Sequence, residues 1–271
     1  MPVNDELGKR MKEYYEQIPR TKLMRRTPVI IRLDGKAFHT FTKGFHKPFD
    51  EILIKSMQET TKYLCENIQG CVLGYTQSDE ITLVLVDYKN LNTSAWFDYE
   101  VQKMCSIAAS MATMKFNKVF IDNVNEWISK TFPSFHEPSS EEDNKLYHTY
   151  INACKKGAMF DARVFNIPKE EVTNLVYWRQ LDATRNSIQM VGQANFSHKE
   201  LQNKSCNDIQ NMLFTERNIN WNDLPIYQKR GSCCIKEKYM IENAERTRWI
   251  INTNIPIFKD EGRDYIEKLI K

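Results

Sequence analysis

The sequence predicts an α+β fold: a split βαβ, ferredoxin-like core, in which an antiparallel sheet carries helices, with a helical C-terminal embellishment. Three observations predict it. Apolar, β-like runs stand at 29–34, 71–76, 81–86 and 158–167. Segments with helical spacing fill the gaps after the first and third of these. The middle two runs are separated by a few polar residues, Gln77-Ser78-Asp79-Glu80, which is hairpin chemistry. The order strand, helix, strand, strand, helix, strand is the split βαβ arrangement.

Each element follows from its residues. The segment up to Met24 reads as a polar helix with Leu7, Met11, Tyr14 and Tyr15 on one stripe. Arg25-Arg26-Thr27-Pro28 ends it and launches the first strand, Val29-Ile30-Ile31-Arg32-Leu33-Asp34. A basic, aromatic loop from Lys36 to Lys47 follows. A helix over 49–68 places Leu53, Met57, Leu64 and Ile68 on one face, with Thr61 between them. Trp96-Phe97 lead into a second helix carrying Val101, Met104, Cys105, Ala108, Met111 and Ala112 at helical spacing. Residues 133–144, with Glu137, Glu141, Glu142 and Asp143, read as an acidic surface loop. The last strand alternates Phe160, Ala162 and Val164 with Asp161 and Arg163. Pro168 suits the first turn of a long helix ending near Gly192. Two regions are expected: 1–192, a palm-like catalytic domain with an N-terminal helix, and 193–271, an extension that packs on it or completes it.

Composition narrows the function. The 271 residues are 41% hydrophobic and 27% charged, an ordinary globular balance. A net charge of +3 leaves any nucleic-acid surface to a local patch rather than to bulk charge. Seven cysteines without a CxxC pair, and five histidines without HxxxH or HExxH spacing, argue against zinc. They fit reduced thiols of a cytoplasmic protein. No apolar run approaches the ~20 residues of a membrane helix, and the N-terminus lacks a signal-peptide pattern. GxxxxGK[ST], GxGxxG and GxSxG are all absent, which removes P-loop, dinucleotide and hydrolase-elbow chemistry.

Two carboxylates remain as the strongest signal. Asp34 ends the first strand and Asp79 tips the hairpin, and the split βαβ topology makes those ends neighbours. Two such carboxylates can hold magnesium against phosphate oxygens and organise displacement at phosphorus. Either residue alone reads equally as turn chemistry. Glu80 reads as a further ligand, a supporting group or a solvated acid. Gly35 reads as a close approach to metal or triphosphate, or as a tight turn. The Lys36–Lys47 loop reads as a phosphate cradle or a solvated basic loop. Asp161 and Arg163 suit a surface ion pair. Lys103 and Arg179 read as helical cations in reach of phosphate, or as solvated charges. Trp178 reads as core rather than as a base-stacking platform.

The same element order is the plan of the polymerase palm, and the motifs sharpen it. Arg32-Leu33-Asp34-Gly35-Lys36-Ala37-Phe38-His39 and Tyr75-Thr76-Gln77-Ser78-Asp79-Glu80 resemble the two metal-binding motifs of the tRNA-His guanylyltransferase superfamily. The similarity continues through Lys47-Pro48-Phe49-Asp50, Phe160-Asp161-Ala162-Arg163, Tyr177-Trp178-Arg179-Gln180-Leu181-Asp182 and Asn218-Ile219-Asn220-Trp221-Asn222. It ends at Leu224-Pro225-Ile226-Tyr227-Gln228-Lys229-Arg230-Gly231. The resemblance implies a magnesium-dependent nucleotidyltransferase that adds nucleotides to tRNA 5′ ends in the 3′-to-5′ direction, in template-directed repair of 5′-truncated tRNA, in tRNA-His guanylylation, or in both. It implies that Asp34, the Gly35 backbone carbonyl and Asp79 hold two Mg2+ ions, with Glu80 supporting the catalytic edge. Asp34, Gly35, Lys36, Ala37, Phe38, His39, Ser78, Asp79 and Lys47 would bind the nucleoside triphosphate, GTP or ATP. Lys103, Arg163, Arg179, Asn186, Lys229 and Arg230 would contact tRNA. A homotetramer is also implied.

Departures place the chain within that superfamily. A His-Ile-Asn-Asn-Leu-Tyr-Asn run of eukaryotic members becomes Thr184-Arg185-Asn186-Ser187-Ile188-Gln189 here, and Lys-Pro-Asn-Asp becomes Lys47-Pro48-Phe49-Asp50. These changes resemble the "like-protein" branch, associated with templated repair of 5′-truncated tRNA. Two other readings stand beside it: a palm-type nucleotide cyclase and a non-catalytic RNA-binding module.

Overall fold

The structure, a computed structural model, describes residues 5–132, 140–242 and 244–271. Helix α1 (Glu6–Met11) continues into one π-helical turn, Lys12–Glu16, and its stripe of Leu7, Met11, Tyr14 and Tyr15 is exposed in this chain. Then come β1 (Val29–Gly35), the short α2 (Phe38–Phe41), α3 (Glu51–Asn67), β2 (Cys71–Gln77), β3 (Glu80–Leu85), α4 (Val101–Thr131), α5 (Glu141–Lys156) and β4 (Phe160–Asn166). The long α6 (Val172–Asn195) is followed by α7 (His198–Leu201), α8 (Cys206–Arg217), α9 (Ile226–Arg230), β5 (Ser232–Ile241), β6 (Ala244–Asn252) and α10 (Asp264–Glu267).

One six-stranded sheet runs β4-β1-β3-β2-β5-β6, antiparallel throughout. Its first four strands have the expected split βαβ order: β3 lies between β1 and β2. Val29, Ile30, Ile31 and Leu33 are all buried, because both faces of β1 are covered. On one face α3 and α4 pack over Ile31, Leu33, Ile81 and Leu83. On the other, α6 packs Val172 and Val176 over Ile30, Leu73 and Val84.

The helices start where the chain provides caps. Asp50 caps α3 by accepting from the Leu53 backbone N–H at 2.9 Å. The α3 face then buries Met57, Thr61 and Leu64, as its periodicity predicts. Met104, Ala108, Ala112, Phe116 and Phe120 repeat every fourth residue on α4 and form the matching stripe.

Two expectations are corrected. Residues 140–144 are not loop: Ser140 accepts from the Asp143 N–H at 2.9 Å and opens α5. Glu141, Glu142 and Asp143 form its first turn, where carboxylates complement the helix dipole. Residues 133–139, Glu137 among them, lie outside the described residues. The C-terminal extension is also more than helical. After α7, α8 and α9, strands β5 and β6 form a hairpin that lengthens the sheet. It joins β2 through Gly74↔Cys234, Tyr75↔Cys233 and Thr76↔Ser232. The expected boundary at 192/193 falls inside α6.

Candidate active site

The end of β1 and the β2–β3 turn meet by register. Asp34 stands opposite Glu80 on one side and opposite Asp161 on the other. Gln77 pairs with Glu80, so Ser78 and Asp79 form the turn, with Ser78 at φ 50°. The Ser78 hydroxyl donates to Asp79 Oδ1 at 2.9 Å. Burial pushes the Asp79 carboxyl above its ordinary value, against the Ser78 hydrogen bond, and the charges of Asp34 and Glu80 push it further. Asp34 and Asp79, 45 positions apart in the chain, are thus brought together as expected.

A cleft of about 500 Å³ opens beside this edge, within the range of ligand sites. The turn after β1 forms one wall: Gly35, Ala37, Phe38 and His39. Ala37 holds a left-handed conformation, φ 53°, which costs a non-glycine residue roughly 1 kcal/mol. That conformation reverses the chain from β1 into α2, whose N-terminus lacks a side-chain cap. Gly35 leaves room for the reversal: a Cβ there would lie 2.1 Å from Phe38 Cδ2. The Phe38 ring is core, with centroids 5.2 Å from Phe41 and 5.2 Å from Phe160. Ser78 and Asp79 form a second wall, and His46, Lys47 and Pro48 a third.

Seven of the nine predicted nucleotide residues line this cleft. Asp34 lies at its edge on the opposite pleat, with Glu80, and Lys36 points to solvent. Thr42, Phe45 and His46 belong to the Lys36–Lys47 loop read as a possible phosphate cradle, whereas sequence reasoning gave Pro48, Asp50 and Leu53 no role in the site. It also missed Met190 and Gln193, which α6 supplies from more than 100 residues away. No local signal marks those last two, because only packing of α6 beside the turn brings them in.

Glu80 is not a free ligand. It is ion-paired to Arg179 through one oxygen and lies 3.6 Å from Arg32 Nη2 through the other. Among the described residues, no group of three or more His, Cys, Asp or Glu side chains is set to hold a metal ion. Asp34, Asp79 and the Gly35 carbonyl still fit magnesium, which takes one or two protein carboxylates and completes its shell with substrate oxygens and water. Burial is the main cause that raises the Asp79 carboxyl, and the neighbouring charges of Asp34 and Glu80 add to it; a divalent cation would offset that added negative charge.

The six residues expected to touch tRNA do not form one surface. Arg179 is buried at 5% exposure, ion-paired to Glu80 and Asp182. Lys229 is also buried; its ammonium donates to the Asn222 carbonyl and sits over the Trp221 ring. Both therefore brace the fold rather than face a ligand. Arg230 is half-buried, and its carbonyl accepts from the Tyr75 hydroxyl at 2.6 Å. Asn186 donates to Asp182 at 3.2 Å. Arg163 is exposed beside Asp161 at 3.7 Å, the expected surface pair. Lys103 lies over Phe97 on α4, across the sheet from α6. Trp178, read as core, is instead half exposed.

Residues 8–168 match the family model for tRNAHis guanylyltransferase, Thg1. The chain belongs to the tRNAHis guanylyltransferase family. It is accordingly a nucleotidyltransferase. Among solved structures it is similar to a bacterial Thg1-like protein in complex with ATP. That chain is 44% identical with a TM-score of 0.78, over 98% of this chain and 99% of the other. It is also similar to a bacterial Thg1-like protein in complex with GTP, 40% identical with a TM-score of 0.75, over 97% and 98%. The tRNA(His) guanylyltransferase of Saccharomyces cerevisiae is 27% identical over 218 residues, covering 75% of this chain and 80% of the yeast protein. All seven family-motif segments quoted above fall in described parts of the fold.

Proposed function

We propose that this family member is a magnesium-dependent 3′-to-5′ nucleotidyltransferase that adds nucleotides to the 5′ end of tRNA, in templated repair of truncated ends. The observation that carries the reading is the cleft joining the Gly35–His39 turn to the Ser78–Asp79 turn beside Asp34. Relatives with bound ATP and GTP support a nucleoside triphosphate there. In the first step an oxygen of the RNA 5′-monophosphate attacks the α-phosphate of a triphosphate, and pyrophosphate leaves. In the second, the 3′-hydroxyl of an incoming nucleotide attacks the activated 5′ phosphate, and the activating nucleoside monophosphate leaves.

Asp34, the Gly35 carbonyl and Asp79 would hold magnesium. When bound, the metal neutralises charge on the phosphate oxygens undergoing transfer. The chain's own groups do the rest. Lys47 and His39, both in the lining of the cleft, would supply donors to phosphate oxygens. The first backbone N–H groups of α2 have no side-chain cap and would be free to meet a phosphate oxygen. Glu80, ion-paired to Arg179 and 3.6 Å from Arg32, would hold the turn in place. The seven free thiols fit a reducing cytoplasm, and we extend the proposal to a homotetramer.

The test supplies Mg2+, four triphosphates and a tRNA lacking its first 5′ nucleotide, and reads the 5′ end by primer extension. Restoration of the base complementary to the opposing acceptor strand is the expected result. No extension on either a monophosphorylated or a triphosphorylated end overturns the reading. A cyclic nucleotide formed without RNA would reassign the site to a cyclase.

A further inference from the structure

Trp178 is out of place for a tryptophan of this fold. It is 50% exposed, whereas Trp96 and Trp221 are 7% and 5% exposed. It is nonetheless fixed. The Arg32 guanidinium carbon lies 5.3 Å from its ring centroid and that of Arg179 lies 4.6 Å away. Both arginines also engage Glu80, which stands opposite Asp34. One guanidinium group therefore separates the indole from the catalytic edge.

The surroundings carry the chemistry of a nucleic-acid end. Leu181, one helical turn on along α6, is 50% exposed, and Arg185, the next turn, has a side chain 62% exposed. They continue the Trp178 stripe at i+3 and i+7. Across the sheet, Arg163 stands directly opposite Arg32. Like charges opposite one another disfavour strand pairing; here Glu80 offsets Arg32 at 3.6 Å, and Arg163 is the one turned to solvent. Arg163 pairs with exposed Asp161 at 3.7 Å, a weak contact exchangeable for phosphate, and Arg185 shares the half-buried Asp182 with Arg179 while its own guanidinium stays open to solvent with donors to spare.

We propose that Trp178 is a stacking platform for the terminal base pair at the RNA 5′ end, with Arg163 and Arg185 beside it for the adjoining phosphates. The platform lies outside the triphosphate cleft, whose lining does not include it. Stacking there places the 5′ phosphate next to Asp34 and Asp79. This inference rests on the proposed tRNA activity, since it names how that substrate is seated.

The test compares Trp178→Ala, Trp178→Phe and wild type, using a 3′-fluorescein-labelled tRNA that lacks its first nucleotide. RNA affinity is read by anisotropy across a salt series, ATP affinity by calorimetry and assembly by light scattering. Trp178→Ala is expected to weaken RNA binding about tenfold, as loss of one base stack does. Trp178→Phe should keep binding within about threefold of wild type. ATP affinity should not move. The slope of log affinity against log salt should also stay parallel, because a stacked ring neutralises no phosphate. Unchanged RNA affinity in Trp178→Ala overturns the proposal. A changed salt slope overturns it too, by assigning the loss to displaced arginines. A change of assembly state would assign the face to contact between copies of this chain, and likewise overturn it. Wild-type extension of the same RNA reports separately on the underlying activity.

Discussion

Arg179 on α6 and Glu80 on β3, 99 residues apart, form an ion pair that ties the long helix to the Ser78–Asp79 turn. Arg179 also bonds Asp182 at 2.9 Å, and its Nε is the one buried side-chain nitrogen or oxygen without a hydrogen-bond partner among the described residues. The same helix presents Met190 and Gln193 to the cleft. The pair therefore sets the turn and the far cleft wall in one frame. Arg179→Ala should destabilise the fold by roughly 2 kcal/mol, because it leaves half-buried Glu80 with only the longer Arg32 contact. It should lower activity more than Glu80→Gln/Arg179→Met, which removes both charges together. Urea melts and initial rates on both variants and the singles check this as a double-mutant cycle.

Asp79→Asn separates function from stability. Asp79 is an acid whose carboxyl is raised in the folded state, chiefly by burial. Such a group weakens folding at neutral pH; the penalty fades as pH falls through the raised folded-state value and is gone below the ordinary one. Asn removes the charge, so nucleotide addition should fall at least about 10³-fold while the melting temperature at pH 7 holds or rises. A large loss of melting temperature would contradict the geometry.

Asp50 holds the loop that lines the cleft. Its buried carboxylate accepts from the Tyr150 hydroxyl at 2.7 Å, the Leu53 N–H at 2.9 Å and the His46 N–H at 3.1 Å. Asp50→Ala leaves three donors unpaired and should cost about 3 kcal/mol, and Tyr150→Phe about 1–2. Both are read in denaturant melts. Nucleotide affinity should weaken in Asp50→Ala, since His46 and Lys47 lose their anchor.

Gly35→Ala should be disproportionately harmful for one methyl group. Its Cβ would sit on the Phe38 ring, itself wedged among Phe41, Phe116 and Phe160. Overpacking of that kind costs about 1–3 kcal/mol. The displaced Phe38 turn should loosen ATP binding about tenfold or more, at about 1.4 kcal/mol per decade, as measured by calorimetry.

The thiols give a simple check of the core. Cys65, Cys71, Cys233 and Cys234 are buried, and burial pushes the Cys65 and Cys233 thiols well up. In the native protein a thiol reagent should titrate no more than the three half-buried cysteines, Cys105, Cys154 and Cys206. All seven should react in denaturant. A disulfide would appear as a shortfall in the second count.

By itself the sequence determined the element order, and with it the meeting of Asp34 and Asp79. Strand alternation, the hairpin turn and helical spacing are local, and split βαβ topology leaves those two carboxylates only one relative position. Of the nine residues that motif similarity singled out for a nucleotide, seven line one cleft. Tertiary structure decided what periodicity cannot encode. It buried Arg179 and Lys229, which composition presents as ordinary cations, because each found a partner distant in the chain or across a loop. It exposed Trp178, which hydrophobicity alone assigns to the core. It carried α6 to the cleft, turned residues 140–144 into a capped helix, and added β5 and β6 to the sheet. Each of these depends on which surfaces meet, and burial of a side chain is a property of its neighbours in space rather than in sequence.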